Sequence, residues 1–119
     1  MADALRGAVA AAAAAALPEI QRLYDDWNQD DSGFDEEYGY GGICDAVADV
    51  LSAALASAGF ATEYGGQEGD DHNFVVVVAG TRRICVDIPC GVYETGGGYF
   101  WRKRRGVVFG DHDIVVEEI

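Results

Sequence analysis

The chain is 119 residues long and half of it is apolar, enough to build one core and too short for two. Its formal net charge of −13, from 21 acidic residues against 8 lysines and arginines, repels phosphate backbones; nucleic acid is not an expected ligand, and a protein or peptide with a basic surface is. No run approaches the ~20 apolar residues of a membrane span, and three cysteines, an odd number, do not form the paired framework of a small secreted domain, so a reducing cytoplasm is the expected location.

A single domain over 1–119 follows, in three stretches: an alanine-rich N-terminal helix (1–17), a helix with an acidic loop (18–37), and a helix with an antiparallel sheet core (38–119). The run GAVAAAAAAAL after MADALR is too weakly apolar for a secretory signal, and Asp3 spoils the basic start such a signal needs. Alanine instead favours a helix over 2–16. Pro18 suits a first helical turn and Glu19 complements its positive end, so PEIQRLYDDW starts a new or kinked helix. Ile20, Leu23, Tyr24 and Trp27 fall on one face of it as core contacts.

Next, DDWNQDDSGFDEE carries seven acids broken by Asn28, Ser32 and Gly33. It lacks the ordered D-x-[DN]-x-[DN]-G pattern of a calcium loop. Asp25, Asp26, Asp30, Asp31, Asp35, Glu36 and Glu37 are therefore the candidate contacts for a basic partner, with a solvated charge run as the plain alternative.

The stretch YGYGGICDAVADVLSAALASAGF brings the chain through Gly39, Gly41 and Gly42 into a helix with Ile43, Val47, Val50, Leu51, Ala54, Leu55 and Ala58 at helical spacing and Gly59 as its cap. Cys44 opens that buried stripe at the positive helix end, a place that suits a small packed side chain and also a thiolate. Beyond it, FATEY reads as a short strand, GGQEGDD as a turn, HNFVVVVAG as an apolar strand and TRRICVDIP as its antiparallel return. VYE, GYFWRKRR, GVVF and DIVVEEI read as further short strands. The class is α+β, with N-terminal helices and a central Cys-bearing helix on one antiparallel sheet.

The hairpin register decides whether two polar residues meet. With Ala79-Gly80 as the loop, His72 lies directly across from Asp87; with Gly80-Thr81, Asp87 opposes Phe74 and the two become diagonal neighbours; a three-residue loop separates them. In the first two registers a carboxylate orients an imidazole whose other nitrogen takes a proton, and the natural donor is the Cys44 thiol. Cys44, His72 and Asp87 then hold the parts of an activated-thiol triad. Asp87 has the simpler alternative of pairing with Arg82 or Arg83. For the oxyanion, the Cys44 backbone N–H, Asn28, Gln29 and Tyr40 are candidate donors.

Through GGICDAVADVLSAALASAGF and HNFVVVVAGTRRICVDIP, about half the chain, the sequence resembles the papain-like cysteine hydrolase superfamily, especially its transglutaminase-like branch. Phe74 stands where that branch usually has a tryptophan, two places after the histidine. The resemblance implies a papain-like fold with Cys44 as nucleophile, His72 as general base and acid, and Asp87 orienting His72, or an inactive relative that keeps the architecture for binding.

Cys85 and Cys90 with His72 or His112 give a C-x4-C pair without a second regular pair, so no metal and no other cofactor is expected. The basic island WRKRR pairs with the chain's own acids or stays solvated. Two functions compete: a thiol hydrolase or acyl transferase on an amide (peptidase, deamidase or transamidase), and a noncatalytic acidic protein that masks a basic partner, as a phage anti-defence inhibitor or immunity protein would. Neither reading fixes an oligomeric state.

Overall fold

A computed structural model describes residues 3–39, 42–67, 72–94 and 100–119. In it α1 (Ala4–Ala14) starts on Asp3, whose Oδ1 accepts the backbone N–H of Leu5 at 3.1 Å and of Arg6 at 3.3 Å. Alanine supplies the propensity, while Val9 and Ala13, both fully buried, supply the anchor. The helix α2 (Leu17–Asp26) has Pro18 in its first turn, and Ile20, Leu23, Tyr24 and the following Trp27 are all buried, as their spacing predicts. The third, α3 (Cys44–Ser57), buries Val47, Ala48, Leu51 and Leu55 and is closed by Gly59 at φ +94°, a left-handed conformation that a side chain would strain.

The strands are β1 (Ala61–Gln67), β2 (His72–Ala79), β3 (Arg82–Asp87), β4 (Gly91–Glu94), β5 (Phe100–Lys103) and β6 (Val115–Glu118), with a short 3₁₀ turn at Asp111–Asp113. The architecture is α+β. Four strands form an antiparallel sheet in the order β1-β2-β3-β6, and its helix-facing side carries Val75, Val77, Ile84 and Val86, all fully buried with the stripe of α3.

Side-chain bonds fix the direction of α3 on that sheet. Asn73 donates to Asp45, the Tyr64 hydroxyl donates to Asp49 at 2.8 Å, and Ser52 and Thr62 share a hydrogen bond at 2.9 Å. Thr62 and Tyr64 pair with Val77 and Val75 of β2, so moving up α3 is moving up β2. The helix is thus parallel to β2 and antiparallel to β3, and its first residue lies beside the start of one strand and the end of the other.

Three sequence expectations need correcting. The strands do not form one sheet, because β4 and β5 make a separate two-stranded one. The strand FATEY runs on through Gly65 and Gly66, where a Cβ at Gly65 would come within 2.5 Å of the Phe74 ring; the missing side chain lets that ring lie across β1. GVVF is no strand, because helix α2 takes its backbone bonds: Val107 N–H donates to the Tyr24 hydroxyl at 3.2 Å and Phe109 N–H to Gln21 Oε1 at 2.8 Å.

Tyr24 is the hub of that attachment. Its hydroxyl also donates to the Arg104 carbonyl, its ring meets Phe109 edge-on at 5.1 Å, and the Lys103 ammonium lies 4.3 Å from the ring centre. Tyr24→Phe keeps the ring and removes both bonds. It is expected to cost about 1–3 kcal/mol, read as a lower urea midpoint at an unchanged denaturant slope. An unaltered midpoint would show that the hydroxyl is not what fastens this segment.

Candidate functional site

Cys44 is the first residue of α3, half-buried, and the helix begins with no side-chain cap on its N–H groups. It lines a cavity of about 20 Å³ together with Trp27, Ile43, Asp87, Cys90 and Trp101, space for about one water molecule. Two glycines let the indoles close around this space. A Cβ on Gly42 would sit 3.0 Å from Trp101 Cβ, and one on Gly91 would sit 3.0 Å from Trp27 Cη2. The β4–β5 pair that carries Gly91 and Trp101 is pinned by Gln29, which donates to the carbonyls of Gly33 at 3.0 Å and Trp101 at 2.6 Å and accepts from Lys103 N–H at 2.9 Å.

Asp87 ends β3 and is 9% exposed, with Oδ1 accepting the N–H of Ile88 at 2.9 Å. Arg82 and Arg83 lie at the opposite end of that strand, bonded to Asp3 and Glu118 and to Glu63 respectively. The hairpin turns on Gly80-Thr81, with Gly80 at φ +63°, and pairs Ala79 with Arg82 and Val75 with Val86. Continuing that register puts Asp87 across from Phe74, two residues along β2 from His72. His72 itself opens β2 opposite Gln67, and its side chain lies outside the described residues. The fold thus brings Cys44 and Asp87, far apart in sequence, to one cavity.

Of the oxyanion candidates, Gln29 is committed to the β5 attachment, the backbone N–H of Asn28 goes to Asp35, and Tyr40 lies outside the described residues. A donor that sequence reasoning assigned only to packing stands out instead. Trp27 is 1% exposed, lines the cavity, and its indole Nε1 has no hydrogen-bond partner among the described residues. The available signal was chemical: an indole carries a polar N–H that burial alone does not satisfy.

The other thiols are held protonated. Burial, helped by the negative charges of Asp87 and Asp113 and opposed by Arg104, pushes Cys90 up to about 12, and its Sγ donates to the Ile88 carbonyl at 3.4 Å. Burial and the charges of Asp87 and Glu117 push Cys85 up to about 11. None of the three cysteines is in a disulfide.

The acidic loop divides by role. Asp35 is buried and accepts the N–H groups of Asn28, Glu37 (2.7 Å) and Tyr38 (2.9 Å); burial alone would raise its pKa, but those donors and the charge of Lys103 hold it below the usual carboxylate range. Asp30 folds its own turn by accepting from Ser32 and Phe34, Asp25 takes the Gln21 amide, and Asp26 pairs with Arg22. Asp31, Glu36 and Glu37 are exposed. With Asp26, Asp30, Asp35 and a partly exposed Phe34, Glu36 and Glu37 line an open groove of about 530 Å³. Two of the four basic residues of the island are spent on the fold: Lys103 donates to the Trp27 carbonyl and Arg104 to that of Pro89, both at 2.9 Å.

Among the described residues, no three His, Cys, Asp or Glu side chains are grouped to hold a metal, and no helix is long and apolar enough to cross a membrane. Comparison of the chain with protein-family models, with curated proteins and with solved structures gave no match.

Opposite pH limits follow from Asp35 and Cys90. The Asp35 contribution is present above the unfolded carboxyl pKa of about 3.9 and is lost as pH falls through its lower folded value. Cys90 acts at the other end: its folded pKa exceeds the unfolded value of about 8.5, so stability is full below that and declines as pH rises toward 12. Denaturation midpoints measured from about pH 9 to about pH 11 should fall in the native protein and fall less in Cys90→Ser. Equal declines in both would remove Cys90 as the cause.

Proposed function

We propose that the protein is a small papain-like thiol hydrolase or acyl transferase acting on an amide, with Cys44 as nucleophile, His72 as general base and acid, and Asp87 as the residue that orients His72. The observation carrying this reading is the shared cavity. Cys44 from the start of α3 and Asp87 from the end of β3 line one small space, and Trp27, whose buried indole N–H has no partner among the described residues, lines it too.

In this reading the Cys44 sulfur attacks the amide carbonyl after passing its proton to His72. The carbonyl oxygen becomes an oxyanion, and a space sized for one water suits that single atom while the rest of the substrate stays outside. The first-turn N–H groups of α3, which have no side-chain cap, and the partnerless Trp27 Nε1–H are the donors proposed for the developing negative charge. His72 returns its proton to the leaving amine, leaving a thioester on Cys44. Water completes hydrolysis, and an acceptor amine completes acyl transfer. Cys85 and Cys90 take no part, since both are held as neutral thiols well above neutral pH.

Iodoacetamide at neutral pH should label Cys44 at least ~10-fold faster than Cys85 or Cys90, and His72→Ala should slow that labelling. Once an amide substrate is found, Trp27→Phe should lower kcat by roughly 10–100-fold with a smaller change in KM, because an oxyanion donor acts mainly in the transition state. Uniformly slow labelling of all three cysteines would reject the activated thiol.

The acidic groove favours a second reading, a noncatalytic protein that masks a basic partner such as a phage anti-defence inhibitor or an immunity protein would. Asp26, Asp30, Glu36 and Glu37 are the groove's exposed charges, Asp31 is exposed in the same loop, and Phe34 is the groove's apolar contact. A lysine- and arginine-rich peptide should then bind ~10-fold or more weakly on raising salt from about 0.05 M to about 0.3 M, equally in native protein and Cys44→Ala. Salt-independent binding, or none, removes this reading.

A further inference from the structure

Cys90 has no role in the chemistry above, yet it is 6% exposed and shares the cavity wall with Cys44. The two sulfurs come from separate segments: Cys44 from the first turn of α3, and Cys90 from the irregular stretch after β3 that also contains Pro89. Both border one space of about 20 Å³, the size of a single water molecule. Cys85 stands further back along β3, across from Val76 and Glu117.

We propose that Cys44 and Cys90 are a redox pair, closed into a disulfide across the cavity by a hydroperoxide and reopened by a thiol reductant. The Cys44 thiolate attacks one peroxide oxygen, the O–O bond breaks, and sulfenic acid forms on Cys44 while the other oxygen leaves as an alcohol, or as water when hydrogen peroxide is the oxidant. The Cys90 sulfur then attacks the sulfenic sulfur. The S–O bond breaks, and the departing hydroxide takes the Cys90 proton to become water. In sum, two thiols and one hydroperoxide give one disulfide, one alcohol and one water.

The groups facing Cys90 set the pace of the second step. Burial disfavours its thiolate most, Asp87 from β3, Asp113 from the 3₁₀ turn and Cys44 from α3 add to that, and Arg104 beyond β5 opposes it. Closure is therefore slow near neutral pH and rises about tenfold per pH unit, because only the thiolate attacks. The sulfenic acid on Cys44 lives long enough to be trapped. A closed pair takes the Cys44 sulfur out of reach of any electrophile, whether or not that sulfur performs amide chemistry.

The test is hydrogen peroxide added to the full chain without reductant, then rapid alkylation and non-reducing mass analysis. Cleavage before aspartates separates all three cysteines, because Asp45 follows Cys44 and Asp87 lies between Cys85 and Cys90. The expected result is a loss of about 2 Da and one linked pair, Cys44–Cys90. Reductant should reverse it, and Cys44 alkylation should fall ~10-fold or more in the closed form. Cys85→Ser should close like the native chain, and Cys90→Ser should leave a dimedone-reactive Cys44. A link through Cys85, links between chains only, or, with one equivalent of peroxide at about pH 9 where closure is fast, Cys44 oxidised to sulfinic acid with Cys90 still free would each overturn the pair, and the native chain alone suffices to see them.

Discussion

The packing of α3 against β2 and β3 is the constraint on which the rest depends. Val47, Leu51 and Leu55 meet Val75, Val77, Ile84 and Val86 in a water-free layer. Helix and strands have similar reach: the 14 residues of α3 extend ~21 Å and the 8 of β2 about 27 Å, so the two can lie alongside one another over most of their length. Because α3 runs parallel to β2, its positive end meets the end of β3. Cys44 and Asp87 are neighbours for that reason, before either makes a bond.

Closure of the cavity is a matter of shape. Trp27 and Trp101 are too large to approach the backbone unless the facing residue has no side chain, and Gly91 and Gly42 satisfy that condition. Gln29 then ties the β4–β5 pair to the acidic loop, with two backbone bonds to β5 and one to Gly33, so a polar side chain helps to build an apolar wall. The loop contributes through Asp35 as well. Its carboxylate is turned inward to organise backbone, which leaves the outward charge to the other six acids of the loop.

Much of this was legible along the chain where one local rule governed. Alanine content, Pro18 and the face of Ile20, Leu23, Tyr24 and Trp27 announced two helices, and the valine run with its basic return announced the β2–β3 hairpin. GVVF misled because β-branched and aromatic residues also suit an irregular segment lying on a core, and only Tyr24 and Gln21 reveal where its backbone bonds go. The single-sheet expectation failed for a related reason: strand patterns show which residues pair locally and leave open which strands continue a sheet.

By itself the sequence determined the α+β class, the Cys44 position at a helix start and the acidity of the 25–37 loop, because each depends on neighbours a few residues away. Tertiary structure decided the Gly80-Thr81 register, the meeting of Cys44 with Asp87 and Cys90, the stranded indole donor of Trp27 and the inward turn of Asp35. Those features depend on which faces meet and on how much water is expelled between them. Contacts between distant segments carry no periodic trace along the chain, so only the folded arrangement could supply them.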